Sequence, residues 1–396
     1  MNTASSPDLP FAARATLRVL QHIEHGQLVV GLPNGSQQQF GNGTARAAIS
    51  FHDWAAFRRI LRDGDIGFAE GYLDGLWETP DLAQLLTLLA NNREPLDRPL
   101  YGSWFGRLLH RGLHLLRANT RRGSQRNIAA HYDLGNDFYA QWLDPSMTYS
   151  SALFDTQASR TLEEAQHAKY QRILETLSLA PQARILEIGC GWGGFAEAAA
   201  RRGYQVHGIT LSREQLRYAQ QRLSHAGLAQ RAQFEFRDYR DLQGKYDAVV
   251  SIEMVEAVGE RWWPTYVERI AAALPSGGRA IVQAITIDEA LFDRYRRGSD
   301  FIQQYIFPGG MLFTPSHFTD LATRAALNLQ SIHRFGKDYA RTLAEWDQRF
   351  VSAAPAIQAQ GFDERFMRMW RFYLAYCQAG FLSGSTDVAQ FSFVRA

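Results

Sequence analysis

The feature that most constrains the fold is a regular alternation of short apolar runs with helical segments, which begins at about residue 127. Five such runs follow in order, and they read ARILEIG, YQVHGIT, AQFEFRD, YDAVVSIE and RAIVQAI. Alternation of this kind is typical of a mostly parallel β-sheet whose two faces are both covered by helices. Because ligands of such sheets bind at the carboxyl ends of the strands, the sequence predicts an α/β domain with a ligand site at that edge.

A glycine-rich turn follows the first of these runs. Gly189, Gly191 and Gly194 match the spacing G-x-G-x-x-G, which allows a tight turn and a close approach of a ligand to the backbone. A nicotinamide-binding domain would carry an acid at the end of the second run for the ribose hydroxyls, but that run ends in Thr210. The acid stands before the glycines instead, as Glu187. This order is the pattern of methyltransferases that use S-adenosylmethionine.

Charge and composition argue against several other classes. The chain of 396 residues carries 42 basic and 40 acidic side chains, so we expect no nucleic-acid partner. Nucleic-acid amino-methyltransferases usually show an N/D-P-P-Y/F type sequence after the fourth run, where this chain reads SIEMVEAVG. Two cysteines, the lack of an apolar run of about 18 residues and the lack of a secretory signal predict a cytoplasmic protein.

The rest of the chain divides into two parts. Residues 1–97 predict a small α+β domain, in which GQLVVGLPNGSQQQFG forms a hairpin and SFHDWAAFRRILRDGD forms a helix. Residues 98–126 contain seven arginines and no acid, and their aromatic and leucine residues recur at helical spacing. This pattern predicts a basic amphipathic linker helix that suits an anionic membrane surface. An interdomain helix with a merely solvated basic face fits the pattern equally well.

Several longer motifs resemble the cyclopropane fatty acid synthases and their mycolic acid methyltransferase relatives. They read HYDLGNDFYAQWLDPSMTYSSALF, LEIGCGWGGF, GITLSREQ, DYRDL, SIEMVEAVG and FIQQYIFPGG, and the resemblance covers residues 127–396. GDIGFAEGYLDGLWETPDL also resembles the small N-terminal domain of the full-length bacterial synthases. The resemblance implies a class I, Rossmann-like methyltransferase domain with a seven-stranded sheet. It also implies S-adenosylmethionine as cofactor, the cis double bond of an unsaturated membrane phospholipid as acceptor, attachment to the inner leaflet, and a homodimer.

The resemblance assigns the cofactor-binding residues. Tyr149 and Ser150 would meet the methionine part of the cofactor, and Asp238 and Tyr239 would flank its adenine. The other positions belong to the glycine turn and to the segment after the second strand: Glu187, Gly189, Gly191, Gly193, Thr210, Leu211 and Gln215. A helix start with Ser212 as N-cap would also account for Thr210 and Gln215, and the two roles are compatible. We predict no metal site.

The cyclopropane synthases place a bound bicarbonate where a proton leaves the acyl chain, and the resemblance assigns four side chains to it. Glu256 and Tyr305 keep the glutamate and the tyrosine of that site, whereas Ser151 replaces its cysteine and Gln283 replaces its histidine. Serine and glutamine still donate hydrogen bonds to an anion. Gln283 cannot carry a charge or accept a proton, so the exchange weakens the case for bicarbonate as a second cofactor.

Glu253 precedes Glu256 by three residues, where the cyclopropane synthases typically carry a small residue. Residues three apart on a helical turn share a face, and two close carboxylates raise the pKa of one of them. The pair therefore predicts a general base near neutral pH. Proton loss from the added methyl group closes a cyclopropane, whereas loss from a chain carbon leaves a methyl-branched alkene or a methylene. The two exchanges and Glu253 favour the branched product.

Three further expectations concern the surroundings of this site. His131 precedes the cofactor motif and is a candidate for closing the site or for acting as a base. Residues from about 287 to 345 predict a lid over an acyl tunnel, and its basic trio Arg294, Arg296 and Arg297 suits either a lipid phosphate or solvent. A small-molecule methyltransferase and a lipid-binding protein that has lost catalysis remain the alternatives.

Overall fold

A computed structural model of the 396-residue chain describes residues 9–100, 134–155 and 159–396. His131 and most of the basic segment 98–126 lie outside the described residues, so the predictions for them stay predictions. None of the described helices is long and apolar enough to cross a membrane.

The N-terminal part contains a four-stranded sheet in the order β2-β1-β3-β4. Its strands are β1 (Gln27–Gly31), β2 (Gln37–Phe40), β3 (Arg46–Phe51) and β4 (Trp77–Glu78). Strands β1 and β2 pair antiparallel, with Leu28 opposite Phe40, which confirms the predicted hairpin. Four helices accompany the sheet: α1 (Phe11–Leu20), α2 (Ala55–Leu73), α3 (Leu82–Asn91) and α4 (Arg93–Leu100). The fully buried Trp77 anchors this core, and its indole nitrogen donates to the Phe68 carbonyl at 2.8 Å.

The large sheet has seven strands in the order β10-β11-β9-β8-β5-β6-β7. Its strands are β5 (Arg184–Ile188), β6 (Gln205–Thr210), β7 (Ala232–Phe236), β8 (Ala248–Ile252), β9 (Arg279–Ile287), β10 (Leu327–Arg334) and β11 (Thr386–Arg395). Strands β5 to β9 coincide with the five apolar runs and are parallel, whereas β11 is antiparallel to both β9 and β10. The predicted mostly parallel, seven-stranded α/β domain beside a smaller N-terminal domain is confirmed.

Helices cover both faces of this sheet. In chain order they are α5 (Asn136–Ala140), α6 (Leu162–Leu177), α7 (Gly194–Arg201), α8 (Arg213–His225), α9 (Trp263–Ala272), α10 (Glu289–Arg297), α11 (Pro315–Arg324), α12 (Gly336–Ser352), α13 (Ala354–Ala359) and α14 (Glu364–Leu382). Helices α6, α7 and α8 pack with Ile185 on one face, whereas α9 and α11 pack with Leu186 and Ile188 on the other. Alternate residues of β5 thus enter different cores, as the pleat of a strand requires.

The segment predicted as one lid over 287–345 is not one structural unit, and the prediction is wrong in its second half. Strand β10 is part of the large sheet, and Phe318 of α11 packs against Phe391 and Phe393 of β11, with ring centroids 5.1 and 5.8 Å apart. Helix α10 and a π-helical turn, Ile302–Ile306, precede this sheet-bound part. The error arose because the residues of β10 are mostly half-buried or exposed and because a register shift between Leu329 and Ser331 interrupts their alternation.

The N-terminal core is continuous with the C-terminal helices. Tyr72 of α2 lies against Phe372 of α14, with ring centroids 5.8 Å apart, and helices α12 and α14 belong to the same buried cluster as the N-terminal strands. Helix α14 therefore joins the small domain to the edge of the large sheet where ligands are expected.

Candidate active site

The glycine turn after β5 is built from backbone that only glycine adopts readily. Gly189 and Gly191 have φ angles of +83° and +50°, and the amides of Gly189 and Cys190 both donate to the Ile209 carbonyl at 3.0 Å. A Cβ atom at Gly189 would lie 2.8 Å from the Met254 side chain, whereas one at Gly191 would meet nothing within 4 Å. The space over Gly191 is thus a cradle that a side chain would fill, and it lies at the carboxyl end of β5.

Glu187, the second-last residue of the same strand, has a buried carboxyl group. Its Oε2 atom has no hydrogen-bond partner within the described part of the chain, and burial raises the pKa of the carboxyl well above its usual value. An orphaned acceptor beside an open backbone cradle fits an amino-acid ligand with an ammonium group. The residues of this turn therefore fit the methionine part of S-adenosylmethionine.

Ser150 is held on two sides by one face of helix α6. A capping box starts this helix, in which the Thr161 and Glu164 side chains bond each other's backbone amides. Lys169 Nζ donates to the Ser150 hydroxyl at 2.6 Å and to Gln166 Oε1 at 2.7 Å, while Gln166 Nε2 donates to the Ser150 carbonyl at 2.9 Å. The predicted cofactor contact Ser150 is thereby fixed in position.

Lys169 is a residue that the sequence analysis missed. It is completely buried, and burial lowers the pKa of its ammonium group to about 7, against the opposing effects of Glu253, Asp144 and Glu187. The available signal was a lysine on the apolar face of α6, one residue before the buried Tyr170. A buried lysine that has no ion-pair partner among the residues described is unusual enough to mark a candidate functional position.

The residues at the end of β6 lead directly into helix α8. Ser212 caps the helix by accepting from the Gln215 amide at 3.2 Å, and Thr210 Oγ1 donates to Gln215 Oε1 at 3.0 Å. The alternative that Thr210 and Gln215 mark a helix start is therefore confirmed, and contact of either residue with the cofactor stays a prediction. Leu211 lies between Thr210, the last residue of β6, and Ser212, the N-cap of α8.

Asp238 and Tyr239 follow β7 but are already engaged. Both Asp238 carboxylate oxygens accept from the Arg240 guanidinium, at 2.9 and 2.6 Å, in a buried bidentate pair. Tyr239 is buried against Tyr266, with ring centroids 5.6 Å apart, and burial raises the pKa of its hydroxyl to about 12. Contact of these two residues with an adenine ring stays a prediction.

Tyr149 lies within an aromatic wall beside Ser150. Its hydroxyl is 2.7 Å from the Tyr373 hydroxyl of α14, and its ring is 5.4 Å from Trp346 and 5.5 Å from Tyr139. Trp192, which follows Gly191 in the glycine turn, donates to Asn136 Oδ1 at 2.7 Å. The predicted methionine contact therefore belongs to a dry wall that connects the glycine turn to α14.

Glu253 holds the centre of a second cluster, directly after β8. Its carboxylate accepts from the Ser151 amide at 2.9 Å, from Gln283 Nε2 at 2.7 Å and from the Tyr339 hydroxyl at 2.6 Å. Gln390 Nε2 donates to Gln283 Oε1 at 3.0 Å and so aims the Gln283 amide nitrogen at Glu253. The cluster is an anion site whose three donors come from three separate segments.

The backbone of Glu253 is strained, since its φ angle is +49°, in the left-handed region. A non-glycine residue there costs roughly 1–2 kcal/mol. The strain is offset by the three hydrogen bonds to its side chain, and the Glu253 amide also donates to the Gln283 carbonyl at 2.8 Å. Strain of this kind concentrates at functional sites.

Glu256 lies on the next turn, Val255–Ala257, and shares the site with Glu253. Its Oε1 atom accepts from the Ile285 amide at 2.6 Å, whereas its buried Oε2 atom has no partner among the residues that the structure describes. Burial and the neighbouring Glu253 raise the pKa of Glu256 to about 8. The direction agrees with the expectation that a second carboxylate raises this pKa, although burial is the larger cause, and the role of Glu256 as a base stays a prediction.

Ser151 and Tyr305 behave differently from the sequence expectation. Ser151 contributes its backbone amide, because its hydroxyl donates to the Ala152 carbonyl at 3.0 Å. The Tyr305 hydroxyl donates to Glu70 Oε1 of α2 at 2.5 Å instead of to the carboxylates. Tyr339, which the sequence analysis missed because no motif surrounds it, is the tyrosine that bonds Glu253.

The comparisons with known proteins fit this site. The family model described as mycolic acid cyclopropane synthetase matches residues 119–391. The chain belongs to this family. It is also 40% identical over 359 residues to the tuberculostearic acid methyltransferase of Mycobacterium tuberculosis, covering 86% of this chain and 81% of that protein.

Two further members of the family are similar to this chain over most of its length. The cyclopropane-fatty-acyl-phospholipid synthase of Escherichia coli is 34% identical over 355 residues, which cover 89% of each chain. The solved cyclopropane synthase MmaA2 of Mycobacterium tuberculosis superposes with a TM-score of 0.64 at 29% identity, over 68% of this chain and 98% of that one. The fold and the family membership together show that the protein is a methyltransferase.

Proposed function

We propose that this protein transfers a methyl group from S-adenosylmethionine to the cis double bond of an unsaturated phospholipid acyl chain and leaves a methyl-branched, unsaturated product. The methyltransferase class and the cofactor follow from the family, in which the synthase CmaA1 has been solved with S-adenosylhomocysteine. The lipid acceptor agrees with the names of the tuberculostearic acid and phospholipid relatives. The observation that carries the choice of product is the position of the Glu253 carboxylate.

The cofactor, when bound, supplies an electron-poor methyl group on sulfur. Glu187, the cradle over Gly191 and the clamped Ser150 would hold its amino-acid part. The aromatic wall that includes Tyr149 keeps water away from this place, since Tyr139 and Trp142 are completely buried. The protein thus provides a dry cavity in which a weak nucleophile, an alkene, meets the methyl group.

Addition of a methyl group to an alkene leaves a positive charge on the acyl chain, and the product depends on which proton leaves. In this chain the carboxylate of Glu253 engages the Ser151 amide, Gln283 and Tyr339. The first two are the positions where the resemblance implies bicarbonate ligands. Glu253 therefore supplies from the chain itself the anion that the cyclopropane synthases bind from solution.

Glu256 is the group best suited to accept the proton. Its Oε2 atom is buried and keeps its lone pairs for a ligand, and its pKa of about 8 matches a base that works near neutral pH. Glu253 is fixed by three donors and stabilises the positive charge on the chain. A fixed base at Glu256, rather than a small diffusible anion, directs proton loss toward the acyl chain.

The decisive experiment identifies the product. Wild-type protein is incubated with labelled S-adenosylmethionine and vesicles of a defined cis-unsaturated phospholipid, and the labelled acyl chain is isolated. A ring and a methylene branch have the same mass, so the chain is hydrogenated under conditions that spare cyclopropanes. We expect the product to take up two hydrogen atoms and its formation to be independent of bicarbonate. A purely cyclopropyl, bicarbonate-dependent product would overturn the assignment.

We also propose that the protein works as a homodimer that binds the cytoplasmic face of an anionic membrane. The support for the membrane contact is the composition of residues 98–126, with seven arginines and no acid, whereas the dimer rests on the family resemblance alone. Co-sedimentation with anionic and with zwitterionic vesicles tests the membrane contact, and light scattering tests the dimer. Equal binding to both vesicle types, or a monomer at all concentrations, would refute the respective part.

A further inference from the structure

Helix α2 is bent back on itself at Gly64, and the bend creates a pocket. Gly64 has φ and ψ angles of +58° and −131°, a conformation that only glycine adopts readily. A Cβ atom at Gly67 would lie 2.2 Å from the Arg59 carbonyl, so the two halves of the helix touch there. In a straight helix Arg59 and Asp74 would be about 22 Å apart, yet here they form an ion pair.

The pocket has a volume of about 610 Å³ and a charged lining. It is lined by Ala55, Arg58, Arg59, Arg62, Glu70, Asp74 and Arg365. Four guanidinium groups therefore face two carboxylates. Asp74 pairs with both Arg59 and Arg365, which leaves Arg58 without a carboxylate at ion-pair distance among the described residues. Arg62 pairs with Asp63, outside the lining, and keeps 73% of its side chain exposed. Such a guanidinium cluster matches a phosphate group.

This pocket is coupled to the candidate active site through Tyr305. The Tyr305 hydroxyl donates to Glu70 in the pocket, and its ring stacks on Phe301 with centroids 5.1 Å apart. Phe301 packs in turn against Phe372 of α14, at 4.7 Å. The π-helical turn Ile302–Ile306, which contains Tyr305, is thereby attached to the wall of the pocket.

Helix α14 runs from the pocket to the active site and fixes the distance between them. Arg365 lies in its first turn, Tyr373 bonds Tyr149, and Phe381 stacks on Tyr339, the donor to Glu253. A rise of 1.5 Å per residue places Tyr373 and Phe381 about 12 and 24 Å from Arg365 along the helix axis. The middle of an extended acyl chain lies within this range from the phosphate of its own phospholipid.

The face of α14 that follows Arg365 is apolar. Met369, Phe372 and Tyr376 follow it at intervals of four, seven and eleven residues, which places all of them on one side of the helix. Phe301 covers this side, at 4.7 Å from Phe372 and 6.3 Å from Tyr376. The charged pocket at Arg365 and the apolar side of α14 beyond it together match the two parts of a phospholipid.

We propose that the pocket binds the phosphate group of the phospholipid whose acyl chain is methylated, and that α14 acts as a ruler which places the double bond at Glu256. This inference rests on the proposed lipid acceptor. The pocket is therefore preferred over the basic trio of α10, which begins with Arg294, as the site for the lipid phosphate. In that trio Arg296 pairs with Glu260, and Arg297 donates to the Asp293 carbonyl.

The test uses the full-length chain and two double variants with the same change in charge. Arg58→Gln with Arg62→Gln removes the two pocket arginines that do not pair with Asp74. Arg201→Gln with Arg217→Gln is the control, since both side chains are at least 60% exposed on α7 and α8. Binding to vesicles of unsaturated phosphatidylglycerol is measured by co-sedimentation without cofactor, and turnover is measured separately with cofactor.

We expect the pocket variant to bind these vesicles about tenfold more weakly than the control variant, and its KM for the phospholipid to rise by a similar factor, because hydrogen bonds to charged groups are lost. The unsaturated diacylglycerol with the same acyl chains carries no phosphate, so wild type and variant should methylate it at equal rates. A pocket variant that binds and methylates phosphatidylglycerol like the control would overturn the proposal.

A titration with inorganic phosphate separates the two sources of the phosphate group. Competition by millimolar phosphate for vesicle binding in wild type, absent in the pocket variant, supports a site for the lipid phosphate. Phosphate binding that the pocket variant loses while its vesicle binding stays normal would assign the pocket to a free phosphate compound and refute the ruler. If wild type binds vesicles but methylates no unsaturated lipid, the proposed function fails, whereas the binding data still decide on the pocket.

Discussion

The glycine turn and the carboxylate site lie side by side at the carboxyl ends of neighbouring strands, yet they are assembled differently. The turn is one continuous stretch whose backbone angles and amide bonds to Ile209 make the cradle. The carboxylate site consists of Glu253 and the neighbouring Glu256. The donors to Glu253 are Ser151, Gln283 and Tyr339, which come from segments up to 188 residues apart. The difference teaches that the backbone cradle of the glycine turn is a local property of this chain, whereas the arrangement of the carboxylate site depends on how distant segments pack.

The variant Glu256→Gln should distinguish the roles of the two regions most clearly, because it changes only the carboxylate site. We expect turnover to fall by about 10²- to 10⁴-fold, since a general base contributes that much. The affinity for S-adenosylhomocysteine, measured by calorimetry, should change less than twofold, because the glycine turn is untouched. A variant that keeps a tenth of the wild-type rate would show that Glu256 is not the base.

Lys169→Met probes the other region, because it removes the clamp on Ser150. Hydrogen bonds to charged groups contribute about 1.5–3 kcal/mol, so we expect the affinity for S-adenosylhomocysteine to fall by about 10- to 100-fold. The exposed Lys337→Met serves as the control for the loss of a lysine. Unchanged affinity in a folded Lys169→Met protein would mean that the clamp does not serve the cofactor.

Glu253→Gly restores the small residue of the cyclopropane synthases and relieves the strained φ angle of +49°. The Ser151 amide, Gln283 and Tyr339 then lose their acceptor, and a bicarbonate ion can take its place. We expect a several-fold lower rate that added bicarbonate raises, and a larger share of cyclopropyl product, measured by the same hydrogenation assay. Glu253→Gln, which keeps the side-chain size, should not respond to bicarbonate. If neither the rate nor the product of Glu253→Gly depends on bicarbonate, Glu253 does not replace that ion.

The last prediction concerns stability instead of turnover or binding. Folding raises the pKa of Glu256 from 4.5 to about 8, so between these values the folded protein binds a proton that the unfolded chain releases. The free energy of unfolding should therefore fall as the pH rises through this window and level off above pH 8. In Glu256→Gln this part of the slope should disappear, and thermal melts from pH 5 to pH 9 measure both proteins. Parallel curves for the two proteins would contradict the raised pKa.

Much of the fold was predictable from local patterns. The five apolar runs became β5 to β9, and the Pro-Asn-Gly turn became the hairpin of β1 and β2. The acid before the glycines lies in β5, within the first of these runs, and is buried there. The antiparallel β10 was missed because its partly exposed residues show the burial of an edge strand rather than of a buried run.

The sequence by itself determined the strand order along the chain, the cradle of the glycine turn and the closeness of Glu253 to Glu256, since each depends on neighbours within a few residues. Only the tertiary structure decided that Tyr339, and not Tyr305, bonds Glu253, that Lys169 clamps Ser150, and that a bent helix gathers the arginines of the pocket. The physical reason is that a hydrogen bond or an ion pair between distant segments depends on how the whole core packs, which no local pattern encodes.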